Sequence, residues 1–227
     1  MSIAWAAFAA GLVTAAVQAE VPSAAVQLFL ERDEPRLVHY RAVRRLEAHN
    51  ERFNASGWLE ACTELRPGGA FAFQILAEGG SGYIRGRVLK KTLEAEREAW
   101  STGEIDRAAL TRQNYEFQPV NEDTFDLVKV ALKPLRNDRM LVAGTILLMR
   151  ADGDLVRIDG RLAKSPSFWT SRVDVRRTYA RVGGVRVPVA LESIAHVRIA
   201  GRSTFRMTYQ YLAVNGQDLL PQDTRCA

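Results

Sequence analysis

The sequence predicts an α+β fold that is mostly antiparallel β: a curved, incomplete barrel of roughly nine strands with helices covering its concave side. Three observations carry this. From Phe125 to Val214, apolar runs alternate with the turn signals Arg136-Asn137-Asp138, Asp152-Gly153-Asp154, Gly183-Gly184 and Ala200-Gly201-Arg202. Within those runs apolar residues recur every second position, so each strand has one apolar face. The helical stretches are too few to cover a flat sheet of that width, so a curved sheet around a helical lid best satisfies burial.

The chain opens with an uncharged, Ala/Leu/Val-rich run, Ile3 to Val17, followed by Val17-Gln18-Ala19 and then Glu20-Val21-Pro22. This reads as a secretory signal peptide, residues 1–19, cleaved after Ala19, although no Lys or Arg precedes Ile3. The expected location is periplasmic or secreted. The run is too short for an integral membrane span. Residues 20–36 form a loosely organised leader.

Leu37, Tyr40, Val43, Arg44 and Leu46 have helical spacing, and Pro35 suits a first turn, so an amphipathic helix is predicted from Pro35 to Arg52. Asn54 to Leu65 and Ala70 to Ala77 read as a hairpin around Arg66-Pro67-Gly68-Gly69, with Phe71, Phe73 and Ile75 on one side. Gly79-Gly80-Ser81-Gly82 ends it. Ile84, Val88, Leu89, Leu93 and Trp100 predict a helix from Tyr83 to Trp100, with a shorter one between Ile105 and Arg112. Strands resume at Tyr115. Val185–Val197 and Thr204–Leu212 are expected to pair, because their alternation matches across the intervening turn. Residues 37–217 make a single half-barrel domain, and 218–227 a tail.

The formal net charge of +5 is spread along the strands, without the Lys/Arg block of a nucleic-acid binder. Cys62 and Cys226 are an even pair that suits a disulfide in an exported protein. Because Cys226 is next to the terminus, unpaired thiols are the expectation.

No motif argues for chemistry. Gly79-Gly80-Ser81-Gly82-Tyr83 sits where a hydrolase places its serine, but the second glycine and the triad partners are missing. A helix N-cap at Ser81 or Gly82 explains it. The Gly80, Gly82, Gly86 spacing lacks the parallel unit of a dinucleotide site. His39, His49 and His196 have no partners at metal-ligand spacing and read as surface histidines. No catalytic residue, metal or cofactor is expected.

Val142-Ala143-Gly144-Thr145-Ile146-Leu147-Leu148, the run from Asp152 to Lys164, Pro166-Ser167-Phe168-Trp169, Arg172-Val173-Asp174-Val175 and Val187-Pro188-Val189 resemble a poorly characterised family of secreted bacterial proteins. Through it the chain is similar to the LolA/LolB-like superfamily of periplasmic lipoprotein-sorting carriers. The order of helix, hairpin, helices and meander is similar over residues 37–215. The resemblance implies an incomplete barrel closed by helices over an apolar cavity that takes acyl chains of lipoproteins or lipids. It transfers no individual ligand contact.

The candidate ligand-binding residues therefore come from the apolar faces: Phe71, Phe73, Trp169, Val175, Arg177, Phe205, Met207 and Tyr209. Arg177 lies between Val175 and Tyr179 on such a face and needs a partner. Pairing with Glu192 or Asp174, or a place at the sheet's edge, is the first expectation, with an anionic or carbonyl group of a ligand as the other. Phe168 and Trp169 cannot share one side of a strand. One of them is expected to cap the open end of the sheet, with ordinary core packing as the other reading. The functional expectation is a non-enzymatic binding protein for an acyl chain, lipid or lipoprotein. The alternative is a protein-interaction or sensor domain of the same shape, with a groove or sheet edge for a peptide.

Overall fold

A computed structural model describes residues 24–120, 124–220 and 226. The predicted signal peptide and its cleavage point lie outside them. The chain forms α1 (Ala24–Glu31), β1 (Tyr40–Asn50), β2 (Ala55–Arg66), β3 (Ala70–Gly80) and α2 (Gly82–Ile84). A π-helical stretch, Arg85–Lys90, joins α2 without a break to α3 (Lys91–Ser101), and a 3-10 turn, Glu104–Ala108, follows. Then come β4 (Tyr115–Pro119), β5 (Leu127–Pro134), β6 (Val142–Met149), β7 (Leu155–Leu162), β8 (Thr170–Val182), β9 (Val185–Val197), β10 (Gly201–Val214) and β11 (Gln217–Asp218).

The strands form one open, curved, antiparallel sheet of eleven rather than about nine, in the order β3-β2-β1-β10-β9-β8-β7-β6-β5-β4, with β11 on β10. The expected pairing of the last two long strands is present, from Gly201↔Val197 to Thr208↔Ala190. Two strands approach closely at a pair of glycines. Gly144 and Gly160 face each other across β6 and β7, and a Cβ on Gly144 would sit 2.1 Å from the Asp159 carbonyl oxygen. Only glycine admits that approach.

Both helical regions lie on one face. Toward the β4 edge, Ala25, Val26 and Phe29 of α1 bury against Val128, Val130, Ile146 and Leu148. Within residues 24–31, the apolar spacing 25, 26, 29 makes a short amphipathic helix that completes this core. Toward the β3 edge, Leu89 and Leu93 cover Leu46, Leu59, Ala61 and Met207. The connection from β3 to β4 thus runs from one sheet edge to the other. Its far end is fixed where Arg107 meets Asp138 at 2.5 Å and Arg136 donates to Asn114 at 2.5 Å.

The predicted helix Pro35–Arg52 is a strand instead. Tyr40, Ala42, Arg44, Leu46 and Ala48 alternate toward the helices, in register with Leu65, Thr63, Ala61, Leu59 and Gly57 of β2. Val43, on the other side, is also buried. An apolar residue on each face mimics helical spacing. Gly79 and Gly80 extend β3 rather than ending it, and Ser81 caps α2 by accepting a hydrogen bond from the Ile84 amide at 3.4 Å.

The two cysteines are joined. Cys62 and Cys226 form a disulfide with Cα atoms 5.5 Å apart. This corrects the expectation of unpaired thiols. Cys226 reaches the outer side of the sheet and packs with Val43 and Leu212, so its burial ties the tail there.

Candidate functional site

The most heavily built feature is a charged residue beneath a helix. Arg44 stands in the middle of β1, in the apolar column between Ala42 and Leu46, and only 2% of it is exposed. Its Nη1 donates to Glu96 Oε2 at 2.6 Å and its Nη2 to Glu96 Oε1 at 3.0 Å. Glu96 belongs to α3, so this two-pronged bond fastens the helix to the sheet. Nη2 also donates to the Tyr40 hydroxyl. The guanidinium lies 4.5 Å from the Tyr209 ring centroid, 5.4 Å from Phe71 and 5.5 Å from Tyr40. Such stacking suits a flat, weakly hydrated cation. Burial opposes the charge, but Glu96, Tyr209 and Tyr40 together hold the Arg44 pKa above its ordinary value.

Around this pair the phenols form a continuous group. Tyr209 stacks on Tyr211, with centroids 5.9 Å apart, and Tyr40 meets Tyr211 edge-on at 5.8 Å. The Tyr211 hydroxyl donates to the Pro188 carbonyl at 2.9 Å. Burial raises the pKa of all three. The unfolded chain loses these protons near pH 10.0, the ordinary phenol value, while the folded chain keeps them. Stability is therefore full below that pH and is lost as pH rises toward the folded values. Each phenol contributes up to about 1.4 kcal/mol per pH unit. Loss of circular dichroism in base is expected to coincide with ionisation of Tyr40, Tyr209 and Tyr211, and Tyr209→Phe is expected to move the loss to higher pH. Tyrosinate forming at these three phenols well before the fold is lost would contradict this, the exposed Tyr83 being first replaced by Phe.

The sequence-derived candidates divide. Phe71, Phe73, Met207 and Tyr209 converge beneath the helix: Phe71 and Met207 are buried, and Arg97 lies 5.4 Å over the Phe73 ring. Phe205 is half-buried against the core beneath the helix, and Val175 is half-buried on the same sheet face. Arg177 takes neither expected partner. It is in register with Leu191, whereas Asp174 pairs with Arg172 at 2.7 Å and Glu192 with Arg206 at 3.8 Å, both on the opposite face. A strand separates neighbours of odd and even number, which is why those pairings fail. Arg177 instead lies beside the hydroxyls of Tyr179 and Tyr209, with Glu96 near, and its pKa is raised. Trp169 is 54% exposed and Phe168 72% exposed, so neither is core.

Sequence reasoning missed Arg44 and Glu96. The available signal was an arginine at an apolar slot of a period-two pattern, hidden because the segment reads as a helix.

Two open grooves adjoin each other on the sheet. One, of about 620 Å³, is lined by Trp58, His49, Ser56, Phe205, Arg206 and Ile194 among others; the second, of about 580 Å³, by Val175, Arg172, Arg176, Asp159 and Ala143. They share Glu192, Ser193 and Ile194, and so form one trough across the strands. No residue of α2 or α3 lines either groove, and Leu89 and Leu93 are wholly enclosed. The space under the helix is filled by the protein's own side chains. No group of three or more His, Cys, Asp or Glu suited to a metal occurs among the described residues. No helix among them is long and apolar enough to cross a membrane.

No family model matches this chain, and no curated protein does. Among solved structures, a DUF1329 family protein from Desulfovibrio piger superimposes over 82% of this chain and 88% of its own, with 7% identity and a TM-score of 0.36. Overlap that loose supports no conclusion about kinship or activity, and the chain is not placed in a family by it.

Proposed function

We propose that this is an exported, non-enzymatic binding protein for an acyl chain, carried as a lipid or on a lipoprotein, with the helical segment from Gly82 to Ser101 as the cover of its apolar face. The observation that carries this reading is the attachment of that cover. Its centre is held by the Arg44–Glu96 pair, whose release exposes Phe71, Phe73, Met207 and Tyr209 together. An apolar chain entering there would take over the contacts of Leu89 and Leu93 at comparable apolar burial. The resemblance to lipoprotein carriers points the same way. A disulfide suits an oxidising compartment.

The test is titration of the folded protein with a fluorescent fatty acid, followed by hydrogen exchange. Saturable uptake is expected, with faster amide exchange in α3 as the helix lifts. Native mass spectrometry with lipid extraction would identify the cargo. Met207→Arg is expected to unfold the domain rather than block binding selectively, because Met207 is 3% exposed in a filled core and an unpaired charge has no outlet there. Folded wild-type protein that takes up no probe would sink the carrier reading. It would leave the interaction-domain reading ahead, which the filled interior and the surface trough favour.

A further inference from the structure

Three connections meet at one end of the sheet: the turn Glu51–Asn54 between β1 and β2, residues 163–169 between β7 and β8, and residues 198–200 between β9 and β10. They are bonded to one another. The Arg198 amide donates to the Trp169 carbonyl at 2.8 Å, Asn50 Nδ2 to the Ala200 carbonyl at 2.8 Å, and the Glu51 amide to the Arg202 carbonyl at 3.1 Å. The tips therefore form one surface rather than independent loops.

That surface carries large apolar side chains in the open. Phe53, Phe168, Trp169 and Ile199 are each more than half exposed. Phe168 and Trp169 touch edge to face with centroids 5.3 Å apart, and the Arg198 guanidinium lies 4.6 Å over the Phe168 ring. The same tips and the first residues of the strands that follow hold five basic side chains (Arg52, Lys164, Arg172, Arg198, Arg202) against one carboxylate, Glu51. Arg202 is paired with Glu51, and Arg172 with Asp174. Among the described residues no carboxylate lies within ion-pair distance of Arg52, Lys164 or Arg198.

Aromatic rings beside unpaired cations, at loop tips, match the boundary layer of a bilayer. Rings of this kind settle at headgroup depth, and guanidinium groups bind phosphate. The apolar groups are spread over three tips and line neither of the grooves described above, which suits a deformable lipid surface better than the pocketed face of a protein partner. Each basic group near an anionic leaflet strengthens binding by roughly fivefold.

We propose that this rim docks the protein onto an anionic phospholipid surface, with Phe168 and Trp169 among the headgroups and Arg52, Lys164 and Arg198 against lipid phosphates. The inference is independent of what the interior binds. The test is co-sedimentation of the full chain with vesicles of phosphatidylcholine containing phosphatidylglycerol, and with vesicles of phosphatidylcholine alone. Binding to the mixed vesicles is expected to weaken with salt and to be much weaker on the neutral ones. Arg52→Glu with Arg198→Glu, and separately Phe168→Ser with Trp169→Ser, should each reduce binding by about tenfold or more while circular dichroism stays unchanged, since these side chains are exposed. Phe125→Ser, an exposed aromatic at another turn, should leave binding as it was. Absence of vesicle binding by the folded chain would overturn the proposal and turn attention to a protein partner. So would binding that the rim variants leave intact, or a loss of the same size in Phe125→Ser.

Discussion

Glu96→Ala is expected to cost about 3–5 kcal/mol of folding stability, because it strands the Arg44 guanidinium under a helix with no carboxylate to hold it. The geometry decides the magnitude. Arg44 is 2% exposed and enclosed by Tyr40, Phe71 and Tyr209, so water can approach the stranded guanidinium only from the side that Glu96, 22% exposed, leaves open. Exposed pairs such as Lys91–Glu94 lie in solvent, where screening leaves them little weight. The double variant Arg44→Met with Glu96→Leu removes both charges together. It is expected to lie near wild type or above it by about 1–4 kcal/mol. Urea denaturation of the three proteins checks this. A Glu96→Ala loss as small as that of a surface pair would mean that the helix is held by Leu89 and Leu93 alone.

Removing the Cys62–Cys226 bridge is expected to cost about 2–5 kcal/mol, toward the upper end because the loop it closes is long. The cysteines are 164 positions apart, and both are buried on the outer face. Cys62→Ala with Cys226→Ala should therefore lower the denaturation midpoint markedly. Adding reductant to the wild type should reproduce the shift and leave the double variant unmoved. Equal midpoints for oxidised and reduced wild type would show that the bridge secures the tail without stabilising the sheet.

Much of the sheet was legible because alternation survives in its strands: Val185, Val187 and Leu191 on β9, and Phe205, Met207 and Tyr209 on β10, lie on the helix-covered face as their spacing indicates. The helix from Gly82 was legible from Leu89, Leu93 and Trp100. β1 was not. Arg44 occupies an apolar slot there, and Val43 is buried against Cys62 and Cys226 on the other side, so neither face reads as simply apolar or polar. The candidate site suffered from the same misreading. Its aromatic walls were found, but the ion pair in the middle joins residues 52 positions apart, a separation that periodicity does not report. Arg177 was found as an anomaly, yet its surroundings depend on the register of β8, β9 and β10 and on the placement of α3.

The placement of β1 between β2 and β10 has a consequence for the order in which the molecule can be assembled. β1 emerges early during synthesis, with β2 and β3 close behind, whereas its other neighbour begins only at Gly201. β4 to β9 are all sequential neighbours and can pair as they appear. Until β10 arrives, one margin of β1 stays bare, with its backbone amides and carbonyls free to pair with any extended chain that comes near. A nascent chain therefore carries that open margin throughout the making of β2 to β9, and β10 closes it.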